Sequence, residues 1–167
     1  MLAAGARVLG ADPREERAER AAALGVETVD PSDIADTPCD VYVPAALGGV
    51  VHDVTVSRLR ASVLAGVANN PLASDSQAEA LAARGILYVP DFVLNAGALI
   101  EGEGHVRTGR LDFSPELQRI GDTVRRVLER ARADSVTPLA AARGIAEEVL
   151  AAERGSTRIP DAEDVLS

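Results

Sequence analysis

Lysine is absent from this chain, and all 17 basic residues among its 167 are arginine. A mechanism that needs a primary amine, whether as a base, a Schiff-base partner or a carboxylate anchor, finds no such group in these residues. Cysteine occurs once, at Cys39, which excludes an intrachain disulfide and fits a reducing compartment. The only two histidines, His52 and His105, are far apart in the sequence, so we expect no metal site.

Long apolar runs and concentrated positive charge are lacking as well. No stretch of 18 apolar residues and no signal-peptide pattern occurs, so we expect a cytoplasmic protein that does not bind membranes. The formal net charge of −9 argues against a nucleic-acid partner, which requires a basic surface. Aromatic residues make up 2% of the chain and apolar residues 47%, so the expected core is aliphatic.

Short apolar runs alternate with helical patterns in the first half of the chain, which predicts βα units and a largely parallel sheet. Runs such as VYVP and SVLAGV are continuously apolar, as strands are when helices cover both faces of a sheet. The predicted strands are Ala6–Ala11, Val26–Val29, Val41–Pro44, Ser62–Val67 and Ile86–Val89. The predicted helices between them are Arg14–Leu24, Gly49–Leu59 and Ser74–Ala83.

Two longer helical patterns follow in the second half. The first is expected to begin with an N-cap at Ser114 followed by Pro115, and the second at Thr137 and Pro138. The segment EGEGHVRTGRLD before them is predicted to be a linker or an exposed loop. The chain then divides into an α/β part over 1–112, helices that pack on it over 113–153 and a polar tail over 154–167.

Asp12 lies between the first strand and the first helix, and two interpretations of it stay open. Its carboxylate is where a dinucleotide-binding fold holds a ribose hydroxyl and disfavours a 2′-phosphate. Alternatively it is an N-cap, since Pro13 follows it directly. The glycine-rich turn that belongs with such a ribose site lies about 20 residues upstream in this fold, and only eleven residues precede Asp12.

Three segments share another pattern: CDVYVPAALGG, AGVANNPL and VPDFVLNAGALI each run from an apolar strand into small residues. Asn69 and Asn70 follow one of these strands and Asn95 follows another. Ligands bind at the carboxyl ends of strands in open parallel sheets, where an amide can bond a carboxamide or a ribose. A single Asn after a strand is usually a turn former, but two such strand ends favour a binding site.

In this order and spacing, the three segments resemble the cofactor domain of the glutamate, leucine, phenylalanine and valine dehydrogenases, and are nearest to the leucine/valine/phenylalanine branch. The resemblance covers residues 1 to about 153. It implies a Rossmann-type, doubly wound, mostly parallel sheet followed by C-terminal helices, with NAD as the cofactor. The residues that it assigns to the cofactor are Asp12, Ala45, Ala46, Leu47, Ala68, Asn69 and Asn95.

Within that set, the resemblance implies that Asp12 binds the adenosine ribose and that residues 45–47 line the adenine and ribose groove. Residues 68–69 then face the nicotinamide ribose, and Asn95 contacts the carboxamide. Leu99 and Gly102 are implied to shape the pocket for the substrate side chain. Two departures from the family pattern, Ala98 in place of Gly and Val67 in place of a small polar residue, leave the substrate open.

The resemblance also implies that the first strand, the glycine-rich loop and a lysine-bearing catalytic domain lie upstream of Met1. In the strand order 3-2-1-4-5-6 the first strand is central. Without it, the second and fourth strands either pair directly or leave backbone groups unpaired. We therefore expect the isolated chain to be poorly stable or to oligomerise, and to bind NAD weakly.

The sequence thus predicts the cofactor-binding portion of an NAD-dependent L-amino-acid dehydrogenase, inactive by itself. The whole enzyme would be a homo-oligomer that oxidatively deaminates a branched-chain or aromatic amino acid to its 2-oxo acid and ammonia. One alternative is a truncated or degenerate non-catalytic module that binds a nucleotide or a partner subunit. Another is a different Rossmann-type dehydrogenase, although the sequence offers no catalytic dyad for it.

Overall fold

The computed structural model describes the backbone of residues 1–156 and the side chains of residues 1–152. A 3-10 turn at Leu2–Ala4 precedes the first strand. The α/β part consists of β1 (Leu9–Gly10), α1 (Glu15–Ala23), β2 (Glu27–Thr28), β3 (Cys39–Tyr42), α2 (Asp53–Arg58), β4 (Ala61–Leu64), α3 (Ser76–Ala83) and β5 (Leu87–Tyr88). Five helices follow: α4 (Asp91–Leu94), α5 (Gly97–Thr108), α6 (Ser114–Gln118), α7 (Ile120–Asp134) and α8 (Pro138–Ser156). Each predicted strand and helix of the α/β part is present, and most are shorter than predicted.

The strands form two parallel sheets among the described residues, with the orders β1-β2 and β3-β4-β5. These are the two pieces that remain when the first strand is taken out of the order 3-2-1-4-5-6, because β1 corresponds to strand 2 and β3 to strand 4. β1 and β3 do not pair with each other in this part of the chain. Of the two expected outcomes, the structure therefore has the one in which both edges stay unpaired.

Two apolar clusters form the core, and they are aliphatic, as expected, except for Tyr88 in the larger one. The larger lies between β4, β5, α2 and α3 and also takes in Leu139 from α8, so the C-terminal helices pack on the sheet. Leu64 and Leu81, at its centre, are fully buried. The smaller cluster joins α4, α7 and α8 around Val127 and Ala131. Along the described part of the chain, no helix is long and apolar enough to cross a membrane.

The segment predicted as a linker or loop is mostly helical, and that prediction was wrong. Residues 101–108 form the greater part of α5, which ends at Gly109 in a left-handed conformation. Gly104 lets the Phe113 ring pack against this helix, because a Cβ at that position would lie 2.3 Å from the ring. Glu103 and Arg107 form an ion pair one helical turn apart. The segment is exposed, as expected, but its backbone is not a loop.

The start of the next helix also differs from the prediction. Ser114 is the first residue of α6 and not its N-cap, and its backbone N–H donates to Asp112 Oδ1 at 2.9 Å. The long predicted helix is divided at Arg119 into α6 and α7. Thr137 Oγ1 accepts a bond from the Ala140 amide near the start of α8, as a capping side chain does. α8 continues to Ser156, and the rest of the predicted polar tail, 157–167, lies outside the described residues.

Candidate functional site

The carboxyl ends of β3 and β4 are joined by backbone contacts. The carbonyl oxygen of Pro44, just beyond β3, accepts hydrogen bonds from the amides of Val67 and Ala68, each at 3.0 Å. Gly66 makes this approach possible, because a Cβ at that position would lie 2.4 Å from the same oxygen. Only glycine fits here without moving backbone, so the small residues that follow β4 bring two chain segments together.

The PAALGG segment is held against the Asn69–Asn70 turn. The Gly49 amide donates to the Asn70 carbonyl at 2.8 Å. A Cβ on Gly48 would lie 3.0 Å from the carbonyl oxygens of both asparagines. The loop of residues 45–47 therefore lies beside the turn, and it is exposed, with Leu47 82% exposed.

Asn95 joins the third segment to the same place. Its side-chain Nδ2 donates to the Ala68 carbonyl and to Asn69 Oδ1, both at 3.3 Å. Asn95 closes the short helix α4, which follows β5 directly. The structure thus brings together the residues predicted at the nicotinamide end, namely Ala68, Asn69 and Asn95.

Asp12 lies elsewhere, at the end of β1 in the two-stranded sheet. Its Oδ1 accepts a hydrogen bond from the Arg14 amide at 2.9 Å, just before α1 begins. Its Oδ2 lies 3.7 Å from Arg17 Nη1. The carboxylate therefore serves the start of the helix, as in the N-cap interpretation, although the N-cap residue itself is Arg14. The position at the strand end fits the ribose interpretation equally well.

The two residues predicted for the substrate pocket, Leu99 and Gly102, lie on α5, one turn apart and thus on one helix face. Both are exposed, Leu99 to 71%. Asn95 precedes this helix by two residues, so α5 begins beside the group formed by Ala68, Asn69 and Asn95, which is called the amide cluster below. Among residues 1–152, no three His, Cys, Asp or Glu side chains are placed to hold a metal ion.

Sequence reasoning missed Asp91. Its Oδ1 accepts a hydrogen bond from the Tyr88 hydroxyl and its Oδ2 accepts one from the Asn70 amide, both at 2.8 Å. Burial raises the pKa of Tyr88, and the hydrogen bond to Asp91 raises it further, so the hydroxyl stays protonated and donates. An acidic residue right after a strand was visible in VPDFVLNAG, but its partner in the Asn70 turn was not.

Comparison with known proteins settles the family. The family model described as glutamate/leucine/phenylalanine/valine dehydrogenase matches residues 11–147. The chain belongs to this dehydrogenase family. It is 36% identical to a leucine dehydrogenase of Bacillus cereus, over 99% of this chain and 46% of the relative. It is 38% identical to a valine dehydrogenase of Streptomyces coelicolor, over 92% of this chain and 44% of the relative.

Solved structures agree with the dehydrogenase family. The crystal structure of L-tryptophan dehydrogenase from Nostoc punctiforme matches with a TM-score of 0.77 and 33% identity, over 85% of this chain and 44% of that chain. The α/β fold predicted from the sequence is therefore confirmed. The dehydrogenase-family chain spans less than half the length of the curated relatives it matches.

Proposed function

We propose that this chain is the cofactor-binding part of an NAD-dependent L-amino-acid dehydrogenase that works as a homo-oligomer in the cytoplasm. The observation that carries the proposal is the meeting of three segments at the carboxyl ends of β3, β4 and β5. Backbone bonds between Pro44 and Ala68 and side-chain bonds between Asn69 and Asn95 hold them together. Ligands of open parallel sheets bind at this edge.

The chemistry of this edge suits a nicotinamide ring with its ribose. Each Asn carries two donors and one acceptor carbonyl, so Asn95 retains its Oδ1 when its Nδ2 is used within the cluster. Ala68 contributes little bulk, and the glycines at 48 and 66 let neighbouring backbone segments approach closely at this edge. A planar carboxamide-bearing ring can lie against such a surface.

When NAD is bound, its nicotinamide ring accepts the hydride from the amino-acid Cα. The residues of this chain bind and orient: in the proposal, Asn95 holds the carboxamide, residues 68–69 face the adjoining ribose, and residues 45–47 line the adenine and ribose groove. Asp12 binds the adenosine ribose, where its negative charge disfavours a 2′-phosphate. Leu99 and Gly102 face the substrate side chain, which we propose to be branched-chain or aromatic.

Proton transfer is not assigned to the arginines of this chain, because a guanidinium does not deprotonate in proteins and the chain has no lysine. In the proposal, proton transfer and substrate-carboxylate binding belong to the part of the relatives that these residues do not span. The isolated chain is accordingly expected to bind NAD weakly and to be inactive by itself.

Substitution of Asn95 tests the proposal. NADH binding to the full chain is followed by NMR saturation transfer, which detects the weak affinity expected. Asn95→Ala removes the proposed carboxamide contact and should lower the affinity about tenfold, the cost of one or two hydrogen bonds. Gln118→Ala, at the exposed end of α6, is the control and should change nothing. Absence of any NADH binding by the unsubstituted chain, or equal binding by Asn95→Ala, contradicts the proposal.

A further inference from the structure

We propose that Asp91 is a positioning residue that fixes Asn69 and Asn95 relative to each other, and so sets the affinity for the nicotinamide end of the cofactor. This inference rests on the proposed function above. The side chain of Asp91 has no hydrogen bond to the side chain of Asn69 or Asn95, and we propose that it acts on them through the residues it bonds. Its side chain bonds the turn that carries Asn69, and its backbone bonds Asn95.

The carboxylate of Asp91 links a buried side chain to an exposed turn. Tyr88, whose hydroxyl donates to Oδ1, is 3% exposed and belongs to the larger core cluster. Asn70, whose amide donates to Oδ2, lies in an exposed turn. The carboxylate thus ties an exposed turn to a hydroxyl that the core holds in place.

Asn70 needs such support because of its backbone. Its φ of 49° lies in the left-handed region, which non-glycine residues seldom adopt, although asparagine tolerates it better than most. A charge-assisted bond from its amide to a carboxylate is stronger than a neutral one. We infer that Asp91 stabilises this conformation, which determines where the preceding residue, Asn69, presents its side chain.

The backbone of Asp91 fixes the second amide. Its carbonyl accepts the Asn95 amide at 2.7 Å, closing the single turn of α4. Asp91 therefore bonds the backbone of Asn95 directly and reaches Asn69 through the neighbouring residue, Asn70. The direct contacts of the Asn95 side chain are longer, at 3.3 Å to Asn69 Oδ1 and to the Ala68 carbonyl, and are weak by comparison. The side chain of Asp91 thus acts on the turn that carries Asn69, while its backbone carbonyl holds only the backbone of Asn95.

Two substitutions separate positioning from simple loss of a group. Asp91→Ala removes both side-chain bonds. Asp91→Asn can keep them, because its Oδ1 can accept from the Asn70 amide while its Nδ2 donates to the Tyr88 hydroxyl. Asp112→Ala is the matched control, since it removes a carboxylate that also accepts a hydrogen bond from a backbone amide, that of Ser114 at 2.9 Å, and that has no bond to the amide cluster.

The experiment compares NADH with ADP-ribose, which lacks the nicotinamide, as ligands of the full chain. Asp91→Ala should lower the NADH affinity about tenfold and leave the ADP-ribose affinity within about twofold. Asp91→Asn should restore most of the NADH affinity, and Asp112→Ala should affect neither ligand. Equal losses for both ligands in Asp91→Ala, or the same pattern in Asp112→Ala, would show that Asp91 supports only the fold.

A ligand-free measurement keeps the inference independent of the proposed function. In the NMR spectrum of the unsubstituted chain, the side-chain amides of Asn69 and Asn95 should have shifts away from random-coil values. Asp91→Ala should move the Asn69 signals towards random coil and, through the bond between Asn95 Nδ2 and Asn69 Oδ1, should shift the Asn95 signals as well. Asp91→Asn should do neither. If the unsubstituted chain binds neither NADH nor ADP-ribose, the proposed function fails, while these amide signals still decide the role of Asp91. Unchanged Asn69 and Asn95 signals in Asp91→Ala overturn the inference.

Discussion

Residues 1–34 and residues 51–142 are built from the same βα units but are packed differently. None of residues 1–34, all of which the structure describes, is buried, and Leu24 at the end of α1 is 77% exposed. Residues 51–142 contain both apolar clusters, with Leu59, Leu64 and Leu81 at most 1% exposed. Local sequence is therefore sufficient to form a β–α–β unit but does not by itself give the unit a core.

The sheet topology accounts for the difference. In the larger sheet β4 has a neighbour on each side, and its last residue, Leu64, is buried in the larger cluster with side chains of α2 and α3. β1 has β2 on one side only, and no described strand lies between β1 and β3. Residues 1–34 have an exposed ion pair between Arg7 and Glu27, and just outside them Arg58 pairs with Asp36. Such exposed ion pairs contribute little compared with buried apolar area.

Matched leucine substitutions should show the largest contrast between the two regions. Leu81→Ala removes a side chain at 0% exposure and should lower the free energy of unfolding by about 2–5 kcal/mol. Leu24→Ala, at 77% exposure, should change it by less than about 0.5 kcal/mol. Urea unfolding followed by circular dichroism gives both values. Similar losses for the two variants would mean that Leu24 is covered in solution, for example in an oligomer.

Alanine substitutions at two crowded glycines should give a smaller difference in stability between the two regions. Gly66→Ala puts a Cβ 2.4 Å from the Pro44 carbonyl, and because a backbone atom cannot move aside, we expect a loss of about 1–3 kcal/mol. Gly10→Ala puts a Cβ 2.9 Å from Val26 Cγ1, a side-chain atom in the loosely packed region. Val26 can rotate away, so Gly10→Ala should be nearly neutral. Thermal unfolding compares the pair, and a Gly10→Ala loss as large as that of Gly66→Ala would show that the first unit is rigid.

The sequence predicted those features that local pattern and strand order determine. Continuous apolar runs located β3 and β4. The expectation that helices cover both faces of the sheet was wrong, because Asp40 and Val41 of β3 and Ser62 of β4 are exposed. The meeting of Asn69 and Asn95 was predictable, since parallel strands end at a common edge. α5 was missed because Gly102, Gly104 and Gly109 are poor helix formers, and the packing of Gly104 on Phe113 could not be inferred from local propensity.

The role of Asp91 could not be predicted for a similar reason. Its partner Asn70 is 21 residues away, and the bond depends on a left-handed backbone at that turn. Asp12 illustrates the opposite case. The sequence left two interpretations open, and the structure shows a bond to the Arg14 amide in a position that suits both. Contacts between distant loops thus have to be seen, whereas strand ends can be predicted.

Low pH should weaken residues 1–34 more than residues 51–142, and this effect should be smaller than those of the substitutions above. The Arg7 guanidinium, bonded to both oxygens of Glu27 at 2.7 and 2.6 Å, lowers the pKa of that carboxyl. A lowered folded-state pKa stabilises above the unfolded value and loses that stabilisation as pH falls through the folded pKa. The backbone amides of Glu27 and Val29 donate to the carbonyls of Val8 and Gly10. From pH 6 to pH 3, their protection from hydrogen exchange should fall by a factor of about two to five. The Ala65 amide, bonded to Tyr42, should keep its protection. Glu27→Gln cannot titrate, so its first unit should show no such pH dependence; a fall of the same size in this variant would assign the effect to other carboxylates, such as Asp36.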